Sequence, residues 1–153
     1  MKTLKGILDK KIQEVENQFK DKSIIKKIGT EVKDRVLKRT KAGYGVDANG
    51  ADKKALKPLS GAYKDARKKG LRRILAGDAK PSKSNLTLTG KMLRSLKVFV
   101  SGTTFTIKPA TKAGKDKANW QADQGRKFLY ASKLDIKYLR DRIRNILRAA
   151  LRK

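Results

Sequence analysis

The stretch that decides the fold is 86–108, LTLTGKMLRSLKVFVSGTTFTIK. Apolar and polar side chains alternate in its second half, on both sides of a Ser101-Gly102 turn. The apolar members are Leu96, Val98, Val100, Phe105 and Ile107. Because alternation with a period of two is typical of β-strands, this half predicts an antiparallel hairpin. The first half predicts a short helix, GKMLRSL, with Thr89 as its N-cap.

Amphipathic helices are predicted on both sides of this hairpin. Apolar residues recur every three or four positions over 3–20, over 24–40 and over 133–151. Ser23 is the candidate N-cap of the second of these helices. In the last helix the apolar residues share one face: Ile136, Leu139, Ile143, Leu147 and Leu151. A short and very basic helix is predicted from Tyr63 to Leu75.

Three segments between these elements, rich in Gly, Pro and Lys, are predicted to be loops: 41–61, 76–85 and 109–117. The resulting order is helix, helix, loop, helix, hairpin, helix. It predicts a single α+β domain over 1–153, in which long amphipathic helices pack on a small antiparallel sheet.

The charge of the chain is extreme. Lys and Arg total 41 against 14 Asp and Glu, a net charge of +27, and only four of the acidic residues follow residue 80. Such a chain must fold against strong self-repulsion. We therefore expect a polyanion, an acidic partner or contacts between copies of the chain to share in its stabilisation.

Several classes of function are excluded or disfavoured by the sequence. The chain has no Cys and no His, which rules out disulfides, thiolate and imidazole catalysis, and metal sites built on these ligands. Asp47 and Asp52 could hold a cation weakly, but a solvated loop is the favoured interpretation. GYGVDA at 43–48 is spelled like a dinucleotide fingerprint, yet it follows a predicted helix instead of a strand. We expect no enzyme activity, no cofactor and no metal.

Membrane association is also disfavoured. No apolar run approaches the length of a membrane span. The apolar start of the chain is interrupted at Asp9, too early for a signal peptide. These features predict a protein that is made in a cytoplasm and acts there or in a particle assembled there.

Basic residues are the strongest candidate binding groups, and they form two clusters. The first cluster is Arg67, Lys68, Lys69, Arg72 and Arg73, and the second is Lys137, Arg140, Arg144 and Arg148. Spacings of 3, 4 and 4 place the second cluster on one face of the last helix. Such a ridge can follow phosphates or meet an acidic protein, with strong salt dependence. The alternative is a solvated face opposite the core.

Five further residues are candidates for the core or for a subunit interface. Thr89, Gly90 and Leu93 would set the fold by placing the short helix against the hairpin. Trp120 and Phe128 would anchor the core or a contact between subunits.

Three segments, in order, resemble the phage virion-morphogenesis or tail-completion proteins, also called head–tail joining or neck proteins. Asp47 to Tyr63 contains DANG and LKPLS before the Tyr, and is similar to that family's D-x-x-G, W-x-P-L-S and Y elements. LTLTGKMLRSL at 86–96 resembles its L-x-x-T-G-x-L-x-x-S element. QGRKFL at 124–129 is similar to the G and R-x-F-L segment before the last helix.

This resemblance implies an α+β fold and a structural role without enzyme activity. It implies an oligomeric ring between the connector or portal side and the tail side of a virion assembled in the host cytoplasm. Basic faces would then contact passing genomic DNA or acidic neighbouring rings. The alternative is a non-enzymatic nucleic-acid-binding protein of the ribosome- or nucleoid-associated type. The third alternative is an enzyme whose carboxylates hold a metal. The fourth is a basic effector that acts on membranes.

Overall fold

The computed structural model describes residues 4–47, 49–69 and 90–152. The elements in chain order are α1 Leu4–Lys20, α2 Lys22–Lys41, β1 Tyr44–Val46, β2 Asp52–Ala55, α3 Gly61–Lys69, α4 Lys91–Arg94, β3 Leu96–Ser101, β4 Thr104–Pro109, α5 Lys112–Asp123 and α6 Lys133–Leu151. The α+β class is confirmed. The predicted 76–85 loop, Arg72, Arg73 and Thr89 lie outside the described residues.

The predicted hairpin is confirmed as β3 and β4. The two strands pair antiparallel, from Leu96 opposite Pro109 to Ser101 opposite Thr104. The turn is one residue later than predicted: it consists of Gly102 and Thr103, with Gly102 at φ 55°. A positive φ favours glycine because it has no Cβ.

One face of the hairpin packs on α2, where Gly29 allows the close approach. A Cβ at this position would lie 2.6 Å from Cγ1 of Val98 and 3.0 Å from the ring of Phe105. The backbone of α2 therefore lies directly against the sheet. This contact positions α2, and α2 in turn positions α6.

Replacing Gly29 by Ala is expected to lower the free energy of unfolding by about 1–2 kcal/mol, because overpacking outweighs the better helix propensity of Ala. Urea denaturation measures this change. Gly61→Ala is the matched control, since a Cβ there meets nothing within 4 Å. A Gly29→Ala variant as stable as the original chain would contradict the close packing.

One cluster of the core is formed by five buried residues: Met92, Leu93, Leu96, Ala118 and Phe128. Leu37 and Leu129 pack against them. Leu93 and Phe128 are thus core residues, as expected. The N-cap of α4 is Gly90, at φ 65°, so the predicted cap at Thr89 is wrong by one position. Gly90 suits this place because the left-handed region disfavours a Cβ.

The predicted 41–61 loop is wrong in its central part, where β1 and β2 form a second antiparallel pair. Asp47 shapes the connection, since its Oδ1 accepts hydrogen bonds from the backbone N–H of Asn49 at 2.9 Å and of Ala51 at 2.7 Å. The N–H of Val46 donates to the carbonyl of Lys127 at 2.9 Å. This small hairpin therefore holds the segment that precedes α6.

Two further predictions are corrected by helix caps. The 109–117 loop is largely helix, because Thr111 caps α5 by accepting a hydrogen bond from the N–H of Gly114 at 3.1 Å. The N-cap of α2 is Asp21 and not Ser23. The Asp21 side chain instead accepts a hydrogen bond from the N–H of Ser23 at 2.7 Å.

Candidate polyanion-binding face

The start of α6 is fixed by a capping box. The N–H of Asp135 donates to Oγ of Ser132 at 3.0 Å, and the N–H of Ser132 donates to Oδ2 of Asp135 at 3.2 Å. Both residues are buried. Reciprocal capping of this kind satisfies N–H groups that the helix itself cannot pair. It also places the Asp135 carboxylate at the positive end of the helix dipole, where a negative charge is favoured.

Two arginines of α2 hold this carboxylate. Arg39 Nη1 lies 2.6 Å from Oδ2 of Asp135, and Arg35 Nε lies 3.1 Å from Oδ1. Arg39 also donates through Nη2 to the carbonyls of Phe128 at 3.2 Å and Tyr130 at 2.9 Å. A single guanidinium thus connects α2, the segment before α6 and the first turn of α6.

The contact continues one and two turns further along α6. Glu31 accepts hydrogen bonds from the Tyr138 hydroxyl at 2.8 Å and from Arg142 Nε at 3.2 Å. The guanidinium of Arg35 lies 4.7 Å from the centre of the Tyr138 ring, within the range of a cation–π interaction. We call the whole set the α2–α6 polar zipper: Glu31, Arg35 and Arg39 of α2 with Asp135, Tyr138 and Arg142 of α6.

Ionisation within the zipper follows these contacts. Burial raises the pKa of Asp135, but hydrogen bonds from Ser132 and Arg39 outweigh it, so this pKa lies below its ordinary 3.8. Burial also raises the pKa of Glu31, and the bonds from Tyr138 and Arg142 bring it below its ordinary 4.5. The hydrogen bond to Glu31, together with burial, raises the pKa of Tyr138 above 10.0. At neutral pH both carboxylates are charged and the phenol is neutral.

Acid is expected to weaken the zipper. A carboxyl whose pKa is lower in the folded chain than in the unfolded chain stabilises the fold at higher pH, and this contribution disappears as the pH falls through the folded pKa. The free energy of unfolding should therefore fall less between pH 6 and pH 3 in Glu31→Gln than in the original chain. Urea denaturation at each pH measures the free energy of unfolding of both chains.

The matched control for this pH series is Glu16→Gln, which changes an exposed glutamate paired with Lys20 at 3.8 Å. Its pH dependence should run parallel to that of the original chain, since an exposed pair contributes little. An identical pH dependence in the Glu31→Gln variant would refute a stabilising role for Glu31.

The zipper sets which side of α6 faces outward. Lys137, Arg140, Arg144 and Arg148 are all exposed, and at 3.6 residues per turn they fall within an arc of about 80° on the side away from the zipper. Arg144 Nη1 lies 3.4 Å from Asp141. We call these four residues the basic ridge. The predicted sharing of one helix face is confirmed for them.

The predicted apolar face of α6 is only partly buried, since its members Leu139 and Leu147 are half-buried and the other three are exposed. Ile136, Ile143 and Leu151 are 48%, 39% and 59% exposed, while Asp135 and Ala150 are buried. The exposed Ile136, Ile143 and Leu151 and the half-buried Leu147 form a stripe along the helix beside the basic ridge. We call this stripe the apolar row. α6 packs against both α1 and α2, and its side facing α2 carries the charged and polar residues of the zipper.

The other candidate residues are more scattered. Lys68 is exposed on α3, with its Nζ 3.8 Å from Asp65, and Arg67 and Lys69 flank it on the same helix. Trp120 on α5 is 55% exposed and is not part of the core. Its alternative role as an interface anchor stays a prediction.

Within 4–47, 49–69 and 90–152, no three Asp or Glu residues are grouped closely enough to hold a metal ion. The Asp47 carboxylate, a candidate for weak cation binding, is hydrogen-bonded to its own turn.

Across the same ranges, no helix combines the length and the apolar character that crossing a membrane requires. What the described surface of α6 offers is a charged and partly apolar contact face.

Sequence reasoning missed the zipper. Its signals were present: spacings of 4 and 4 between Glu31, Arg35 and Arg39, and the S-x-x-D pattern from Ser132 to Asp135. Such patterns indicate which residues share a helix face, but they do not identify the partner helix. Comparison with protein-family models, curated proteins and solved structures finds no match to this chain.

Proposed function

We propose that this chain is a non-enzymatic structural protein of a phage particle, which completes the tail or neck and joins it to the head as part of an oligomeric ring. The observation that carries the proposal is the α6 surface, where the four basic side chains of the ridge and the apolar side chains of Ile136, Ile143 and Leu151 lie exposed together. A surface of this kind suits a protein that is completed by its neighbours. The resemblance of 47–63, 86–96 and 124–129 to tail-completion proteins supplies the context.

The geometry suggests how the protein would work in such a ring. The zipper holds α6 in one orientation, so every copy would present its ridge in the same direction. A ring of such copies would present a band of positive charge to passing DNA or to an acidic neighbouring ring. Binding a polyanion would also relieve the self-repulsion of a chain with a net charge of +27.

Quantitative mass spectrometry of purified phage particles from the host strain that carries this sequence tests the proposal. We expect the chain to be present at a low copy number, as for a single ring. Its absence from well-purified particles would overturn the proposal. In an infection that lacks this protein, unjoined heads and tails should accumulate.

A nucleic-acid-binding protein of the ribosome- or nucleoid-associated type is the second candidate, and the basic ridge is the observation that favours it. This candidate predicts tight, salt-sensitive binding of nucleic acid by the monomer and no ring. Light scattering of the isolated protein with and without duplex DNA separates the two proposals.

A further inference from the structure

We infer that the apolar row and basic ridge of α6 together dock an acidic amphipathic helix of a partner protein. The inference deepens the proposed function, on which it rests for its choice of a protein neighbour. The starting observation is that Ile136, Ile143 and Leu151 are each more than one third exposed although a long amphipathic helix normally buries such residues.

The row and the ridge are parts of one surface. On a helix with 3.6 residues per turn, the row and the ridge occupy adjoining arcs, and Arg140 lies where they meet. From Ile136 to Leu151 the surface extends about 22 Å along the helix axis. This length fits a partner helix whose apolar anchors recur every three or four residues. Acidic residues beside those anchors would meet the ridge.

The combination favours a protein helix over DNA. Phosphate contacts account for the ridge, since they require only positive charge. They give no role to the exposed aliphatic side chains beside it. An acidic amphipathic helix uses both features, because its carboxylates pair with the ridge while its apolar face covers the row.

Charge also disfavours a second copy of this chain as the occupant of this surface. Two copies joined through α6 would bring two basic ridges together, and like charges across an interface oppose association. Helices that lie on membranes carry Trp, Phe or Leu on their apolar face. The apolar row has Leu but neither aromatic residue, so the measurement with phosphatidylserine vesicles separates a membrane from a protein partner.

Fluorescence anisotropy with two labelled peptides tests the inference on the full chain. The first peptide is an 18-residue helix with Leu along one face and Glu on both sides of it. The second has the same composition in an order that scatters the Leu residues. We expect the full chain to bind the amphipathic peptide at least tenfold more tightly than the scrambled one.

The row variant Ile136→Gln/Ile143→Gln/Leu151→Gln should abolish this tenfold preference while leaving affinity for the scrambled peptide unchanged. The control variant Tyr44→Gln/Phe99→Gln/Trp120→Gln removes three exposed apolar side chains from other elements and should keep the preference. Circular dichroism of both variants tests whether they are folded.

Three results would overturn the inference: equal binding of the two peptides, an unchanged preference in the row variant, or a preference lost equally in the control variant. Binding of a 20-base-pair duplex or of phosphatidylserine vesicles that depends on the row, without peptide discrimination, would assign the surface to that ligand instead. Peptide discrimination by a chain that is absent from phage particles would refute the proposed function alone. A chain present in particles that fails to discriminate would refute the inference alone.

Discussion

Replacing Asp135 by Asn is expected to lower the free energy of unfolding by about 3 kcal/mol or more, because removing one partner of a buried ion pair leaves the other charge uncompensated. The carboxylate is 2% exposed and Arg39 only 8%, so water cannot replace the lost contact. Arg35 loses its contact with the same carboxylate. Urea denaturation at neutral pH measures the change.

Asp141→Asn is the matched control for this experiment. It is an Asp on the same helix whose side chain is half exposed and pairs with Arg144 at 3.4 Å. Asp141→Asn should lower the free energy of unfolding by less than about 1 kcal/mol, as expected for a surface pair. Similar losses in the two variants would contradict the special role of Asp135. The charge removed is identical, so only the environment differs between them.

Reversing the basic ridge is expected to weaken polyanion binding severely while leaving the fold intact. The variant is Lys137→Glu/Arg140→Glu/Arg144→Glu/Arg148→Glu, and all four side chains are exposed. Each phosphate contact contributes about 0.9 to the slope of log affinity against log salt, so the loss of four contacts should reduce that slope by about 3–4. Anisotropy with a 20-base-pair duplex between 50 and 200 mM salt, concentrations at which such contacts are strongly salt-dependent, measures the slope. The proposed function further predicts that the same variant impairs head–tail joining or DNA retention.

The control for the ridge variant reverses four exposed lysines elsewhere: Lys26→Glu/Lys27→Glu/Lys97→Glu/Lys115→Glu. The two variants have the same net charge, because each set of four substitutions lowers the net charge of +27 by 8. The control should keep most of the salt slope. Equal losses in both variants would show that net charge, and not the ridge, determines binding.

The parts of this fold that were predicted from sequence are those with long, regular patterns. The β3–β4 hairpin has two six-residue strands with clear alternation, and α6 has five apolar residues at helical spacing. The β1–β2 pair was missed because strands of three and four residues are too short to show a period. α5 was missed because Gly114 lies inside it and its apolar residues form no continuous stripe.

The orientation of α6 could not be predicted from its own residues. Periodicity alone favours burying Ile136, Ile143 and Leu151, because transfer of apolar surface from water is favourable. The structure instead buries Asp135, which is held by a residue 96 positions away in the chain. A contact over that distance depends on how whole helices are arranged, and no local pattern encodes it. The basic ridge was predicted because its four members lie in one helix at spacings of 3, 4 and 4 residues, a local pattern that is visible in the sequence.

The polar zipper also determines the order in which the chain can complete its fold during synthesis. Glu31, Arg35 and Arg39 are translated about 100 residues before Asp135, Tyr138 and Arg142, so α2 is made well before its partner helix. Until that helix is made, the β3–β4 hairpin is available to α2, but the carboxylate that Arg39 binds does not yet exist. α6 can therefore close onto α2 only after residue 142 has been translated, and a ribosome stalled before codon 135 would hold an incompletely closed domain.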